Sequence, residues 1–104
     1  MASFRIELVE MELGRDAILV RNRHVVSTEL PDGEAALLDV QSGSYFHLNS
    51  VASRLWQLIA EPVSLEQVLT ALQGEFEVEA DRCHDEVVSL VSQWLERGLS
   101  QVVT

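Results

Sequence analysis

Lysine is absent from this chain, and its seven arginines are scattered from Arg5 to Arg97 among seventeen acids, for a net charge of −10. Nucleic acids are held by clustered cations that displace counterions from phosphates, so nucleic-acid binding is disfavoured. Cysteine occurs once, as Cys83, which rules out an internal disulfide and makes a cytoplasmic location the expectation. No apolar run approaches the roughly 18 residues of a membrane span. Met1–Glu7 has no charged segment leading into an apolar block, so no secretory signal is expected. The five glycines form no phosphate loop, and His24, His47 and His84 have no metal-ligand spacing. Cys83 and His84 are adjacent on a helical stretch, so they point about 100° apart and cannot readily share a proton. No catalytic residue, metal ligand or cofactor is assigned.

What is present is apolar pattern. With 47% apolar residues in 104, the chain reads as one domain, 1–104, with residues 1–20 as an N-terminal extension. Residues 4–13 alternate apolar and charged with one slip of phase at Leu8-Val9, which suggests a strand or a pairing arm. Ala17–Val20 is a short apolar run with no evident role. His24–Leu30 is rich in β-branched residues and leads into Pro31-Asp32-Gly33, a hairpin turn. Ala35–Gln41 is the return strand and Gln41-Ser42-Gly43 the next turn. Ser44–Leu48 is a third strand, with Phe46 and Leu48 on one face and Tyr45 and His47 on the other.

The period then changes from strand to helix. Asn49 and Ser50 are both suitable caps for a helix running to about Ala60, which Pro62 ends. Its stripe comprises Val51, Leu55, Leu58 and Ile59, with Ala52 and Trp56 beside it. Ser64-Leu65-Glu66-Gln67 is a capping box, and Leu65, Val68, Leu69, Leu72 and Phe76 follow helical spacing. Gly74 suggests fraying near the end of that helix. A last helix spans about Ala80 to Arg97, with Cys83, Val87, Leu90, Val91, Trp94 and Leu95 along one side and Gly98 as its left-handed stop. The fold class is therefore α+β and winged helix-turn-helix-like: a three-stranded antiparallel sheet followed by three helices.

In a meander of this order the Ser44–Leu48 strand is an edge, and it carries no lysine, proline or inward charge to discourage pairing. Peptides use such edges by strand addition. The last helix supplies a candidate pocket wall, with Val88 beside the Val87–Val91–Leu95 line and His84 and Ser92 completing an open flank. The candidate peptide-binding residues are Ser44, Tyr45, Phe46, His47, Leu48, His84, Val88, Val91, Ser92 and Leu95. The alternative is an edge covered by residues 4–13.

The ordered set Leu38-Asp39, Gly43, Tyr45-Phe46, Leu48-Asn49, Ala52, Leu55-Trp56, the Ser64 cap and Glu96-Arg97-Gly98-Leu99 resembles the PqqD-like family of RiPP recognition elements. Within it the likeness is nearest to the stand-alone leader-binding proteins of split lasso-peptide B systems, and it covers about residues 20–103. The resemblance implies a non-catalytic peptide chaperone that binds the leader of a ribosomally made precursor as a fourth antiparallel strand. That strand would lie beside Ser44–Leu48, in a groove against the helix Asp81–Arg97. It also implies a separate cysteine-protease-like leader peptidase as partner, and no nucleic acid or membrane. Competing readings are a PqqD-type chaperone for a radical-SAM or other maturation enzyme, a winged-helix DNA binder, and an adaptor that dimerises through its sheet edge. The last helix opposes DNA binding, since it carries Asp81, Asp85, Glu86 and Glu96 against Arg82 and Arg97.

Overall fold

A computed structural model describes residues 13–103. The strand or arm expected over residues 4–13 lies outside them except for Leu13, which is buried. In chain order the elements are β1 (Ile18–Arg21), β2 (Val25–Glu29), β3 (Ala35–Asp39), β4 (Ser44–Leu48), α1 (Ser50–Leu58), β5 (Val63–Ser64), α2 (Leu65–Phe76), α3 (Ala80–Glu96) and β6 (Ser100–Val103).

The meander forms as the alternation predicts. β2, β3 and β4 pair antiparallel, with Val25 opposite Asp39 and Leu37 opposite Phe46. In the first turn Asp32 Oδ1 accepts the Glu34 N–H at 3.0 Å. In the second, Asp39 Oδ1 accepts the Gln41 and Ser42 N–H groups at 2.9 and 3.4 Å. Gly43 closes that turn at φ +75°, a conformation L side chains resist. Ala35, Leu37 and Asp39 face the core, whereas Leu38, Val40 and Tyr45 are exposed on the outer face.

A second sheet, in the order β5-β1-β6, was not expected from the sequence. Ile18–Arg21 is its middle strand, pairing with Val63–Ser64 on one side and Ser100–Val103 on the other, and Leu19 is fully buried. The chain from Ala17 onward therefore belongs to the fold proper, although it falls partly within the expected extension. These strands are two to four residues long and join partners up to 85 positions apart, Ile18 with Val103, so no local period announces them. Asn22 ties this sheet to the end of α3, its Nδ2 donating to the Gly98 carbonyl at 2.7 Å.

The helices start and stop where the capping residues indicate. Asn49 caps α1 by accepting the Ala52 N–H, and Ser64 and Gln67 form the reciprocal box at the start of α2. α2 runs on past Gly74 to Phe76. α3 ends in a Schellman motif: the Leu99 N–H donates to Trp94 O at 2.8 Å and the Gly98 N–H to Leu95 O at 3.2 Å, with Gly98 at φ +76°. The three helices cover the inner face of the meander around Leu37, Leu55, Trp56, Leu69, Val91 and Leu99. Trp56 meets Trp94 edge to face at 5.4 Å, and the Arg21 guanidinium lies 5.2 Å from the Trp56 ring.

A Cβ added at Gly74 would meet nothing within 4 Å. Gly74→Ala is therefore expected to stabilise the protein by about 1 kcal/mol through helix propensity alone, read as a higher urea midpoint at unchanged m-value.

Candidate functional site

The backbone of β4 sets the geometry of the site. At the two ends of the β2–β3 ladder the Leu30 N–H donates to Glu34 O at 2.7 Å and the Val40 N–H to His24 O at 3.2 Å. Those contacts fix the even-numbered residues of β3 as the ones bonded to β2. Ala35, Leu37 and Asp39 then turn their backbone groups toward β4, where Ser44, Phe46 and Leu48 oppose them. By the same alternation, the N–H and C=O groups of Tyr45 and His47 point away from β3, to an edge that no strand among the described residues pairs with. The last rung of the β3–β4 ladder is held by a side chain from α1: Ser53 Oγ accepts the Ala35 N–H at 2.8 Å and donates to Leu48 O at 3.1 Å.

β2 is the other edge of this sheet, and it is less receptive. Its Val25 N–H already donates to Asn22 O at 3.3 Å, and Glu29 carries a charge there.

A groove adjoins the β4 edge. The Arg97 guanidinium sits 5.4 Å from the Phe46 ring, which brings the end of α3 against β4. From Asn49, just past β4, a concavity of about 510 Å³ opens between α1, the end of α2 and α3. Leu72, Phe76, Val78 and Leu90 make it apolar, and Asp85, Glu86 and Gln93 stand on its α3 side. The stripe Glu86–Leu90–Gln93–Arg97, at helical spacing, is thus the side of α3 turned toward β4 and the groove.

The strand-side candidates lie together. Ser44, Tyr45 and His47 are exposed, Phe46 is half-buried against the core, and Leu48 is buried. The helix-side candidates do not join them. Val91 is fully buried, Ser92 is 2% exposed and Val88 is 9% exposed, whereas His84 and Leu95 are half-buried. At about 100° per residue, Val88 and Leu95 lie roughly opposite Arg97 around α3, and His84 and Ser92 are well off the groove stripe. α3 is apolar over too much of its circumference for local spacing to fix its rotation. The periodic positions Glu86, Gln93 and Arg97 were the missed signal, a polar line bordering the apolar one.

Two further features bear on chemistry. Cys83 lines the groove wall, and burial pushes its thiol above the ordinary value, with the Glu86 carboxylate adding to the effect. A protonated, buried thiol is a poor nucleophile. On the outer face, Asp32, Glu34 and His47 bring donor atoms within 4.8 Å of one another, an association of hairpin turn and edge strand that sequence spacing did not reveal. His47 Nε2 lies 3.1 Å from Glu34 Oε1, with the histidine exposed and the carboxylate half-buried.

The comparisons with known proteins follow this geometry. Residues 34–99, most of the chain, match the family model for coenzyme PQQ synthesis protein D (PqqD). The chain belongs to the PqqD family. No curated protein matches it. Among solved structures, it is similar to TbiB1 in complex with the TbiA(beta) leader peptide, with a TM-score of 0.74 and 27% identity over 82% of this chain and 98% of that one. It is also similar to a lasso peptide synthetase B1 complexed with the leader peptide, with a TM-score of 0.70 and 26% identity over 80% of this chain and 96% of that one. The matched PqqD segment begins at the β2–β3 turn and ends at the Schellman motif, so it contains both the β4 edge and the groove.

The turn that delivers β4 depends on an ionised Asp39. Burial alone would raise its pKa, but the N–H groups of Gln41 and Ser42, the Ser42 hydroxyl and the nearby His24 outweigh that and hold it below the ordinary value. Its contribution to stability is thus present above the unfolded pKa of about 3.9 and is lost as pH falls through the lower folded value. Asp39→Asn is expected to lower stability at neutral pH and to weaken its decline below about pH 4, as measured by urea titrations across pH.

Proposed function

We propose that this protein is a non-catalytic recognition protein of ribosomally made peptide biosynthesis. It binds the leader of a lasso-type precursor by strand addition and presents it to a separate leader peptidase. The observation that carries the reading is the edge of β4 that no strand among the described residues pairs with, where Tyr45 and His47 turn their N–H and C=O groups beside an apolar groove. The two similar B1 proteins, each solved with a leader peptide, support it. Main-chain bonds at Tyr45 and His47 hold the peptide in register, and the groove reads its side chains. Ser44, Tyr45 and His47 flank the incoming strand, Phe46 and Leu48 support it from the core side, and Gln93 and Arg97 replace Val88, Val91, Ser92 and Leu95 as the helix wall. The buried Cys83 thiol provides no nucleophile, which fits a binding role that leaves peptide cleavage to the partner.

The family description itself concerns coenzyme PQQ synthesis, and this supports a second reading: the same edge serving the precursor of a radical-SAM or other maturation enzyme. Fluorescence-polarisation titration against labelled leaders from neighbouring open reading frames separates the two by which precursor binds. Micromolar or tighter binding to a lasso leader is the expected outcome; binding only to another precursor class favours the second reading.

His47→Pro tests the register. It deletes a donor that faces the open edge without removing a β3–β4 ladder bond. Leader affinity is expected to fall at least about tenfold while circular dichroism and melting stay unchanged. Unaltered affinity in a folded variant would count against strand addition at β4.

A further inference from the structure

The last rung of the β3–β4 ladder runs through a side chain. Ala35 and Leu48 are directly opposed, and by the alternation along the ladder the Ala35 N–H and the Leu48 carbonyl face each other. Ser53 Oγ stands between them, accepting the Ala35 N–H at 2.8 Å and donating to Leu48 O at 3.1 Å. Ser53 is 2% exposed and sits on α1, away from the outer edge of β4. Resting on the leader-binding reading above, we infer that Ser53 is a positioning residue for the peptide. It does not touch the added strand, yet it sets the attitude of the edge groups that receive that strand.

The coupling passes through one residue of backbone. Two planar peptide groups meet at Leu48: one carries the Leu48 carbonyl that Ser53 holds, and the other carries the His47 carbonyl that points to the outer edge. Holding the first restrains the Leu48 torsions and so the tilt of the second. Ser53 is itself anchored, because its own N–H donates to Asn49 O at 2.8 Å while Asn49 Oδ1 accepts the Ala52 N–H at 2.9 Å. The end of β4 is thereby clamped to the first turn of α1. Without the hydroxyl the backbone has two courses. Ala35 N–H and Leu48 O close the gap and draw Leu48 toward β3, or they stay apart, buried and unpaired, and this end of β4 loosens. Either course moves the His47 carbonyl relative to the Tyr45 groups, and a peptide that bonds at both residues loses its fit. A core truncation elsewhere lacks this leverage, since a modest fall in global stability leaves the native state almost fully populated.

The test titrates the parent protein, Ser53→Ala and Ile59→Val with the labelled leader that binds in the titration above, at a temperature where circular dichroism shows all three folded. Ile59 is buried at the far end of α1, so its truncation lowers the melting temperature without reaching β4. Ser53→Ala is expected to bind the leader about three- to tenfold more weakly, whereas Ile59→Val binds it as the parent does. The parent protein supplies a second reading, because coupling is reciprocal. Leader saturation is expected to slow hydrogen exchange at the Ala35 amide, which Ser53 holds, by a larger factor than at the Leu38 amide, which faces β2. Equal leader affinity in Ser53→Ala and the parent, or an equal loss in Ser53→Ala and Ile59→Val, overturns the inference and leaves leader binding intact. If Ser53→Ala does not fold, equal slowing at Ala35 and Leu38 overturns it. No binding of any leader by the folded parent removes the leader-binding reading and this inference with it.

Discussion

Asp39 facing Ser44 across the β3–β4 turn decides which backbone groups of β4 point to the edge that no strand among the described residues pairs with. That one pairing places Phe46 and Leu48 toward the helices and the N–H and C=O groups of Tyr45 and His47 toward the open edge. A shift of a single residue would exchange both sets, burying Tyr45 and His47 and exposing Phe46 and Leu48. The register is therefore held from several directions at once. The Asp39 carboxylate gathers the turn N–H groups, Gly43 supplies the left-handed residue, and the Ser53 hydroxyl closes the far end from α1. Core packing and edge chemistry are two results of the same constraint.

The groove depends on that constraint through Phe46. Because its ring faces inward, it meets Arg97 at the end of α3, and the Schellman motif at Gly98 and Leu99 fixes where that end lies. Asn22 binds the carbonyl of Gly98, so the position of the helix end is also set by the small sheet of β5, β1 and β6. That sheet contributes nothing to the β4 edge directly. Its part is to anchor the end of the last helix, which lies against β4.

The sequence displayed some of this and concealed the rest for physical reasons. The meander was readable because Pro31-Asp32-Gly33 and Gln41-Ser42-Gly43 punctuate segments of period two. The helix starts were readable because Asn49 and the Ser64–Gln67 box satisfy backbone donors locally. β1, β5 and β6 were not, since each is short and its partner is distant in the chain. The edge at Ser44–Leu48 followed from strand order, but which of its N–H groups are free required the ladder bonds at Leu30 and Val40. The rotation of α3 was not readable. A helix carrying Cys83, Val87, Val88, Leu90, Val91, Trp94 and Leu95 is apolar around much of its surface, and only the contact of Arg97 with Phe46 shows which side meets the strand.

An edge built from main chain has a property that a pocket lacks. Replacing Tyr45 or His47 by any residue other than proline leaves the same N–H and C=O groups at the same spacing. On the strand-addition reading, side-chain drift along β4 therefore erodes pairing slowly, while drift in the groove changes which peptide is preferred. On that reading pairing and selectivity can change independently, which is compatible with a fold shared at 27% identity with a B1 protein.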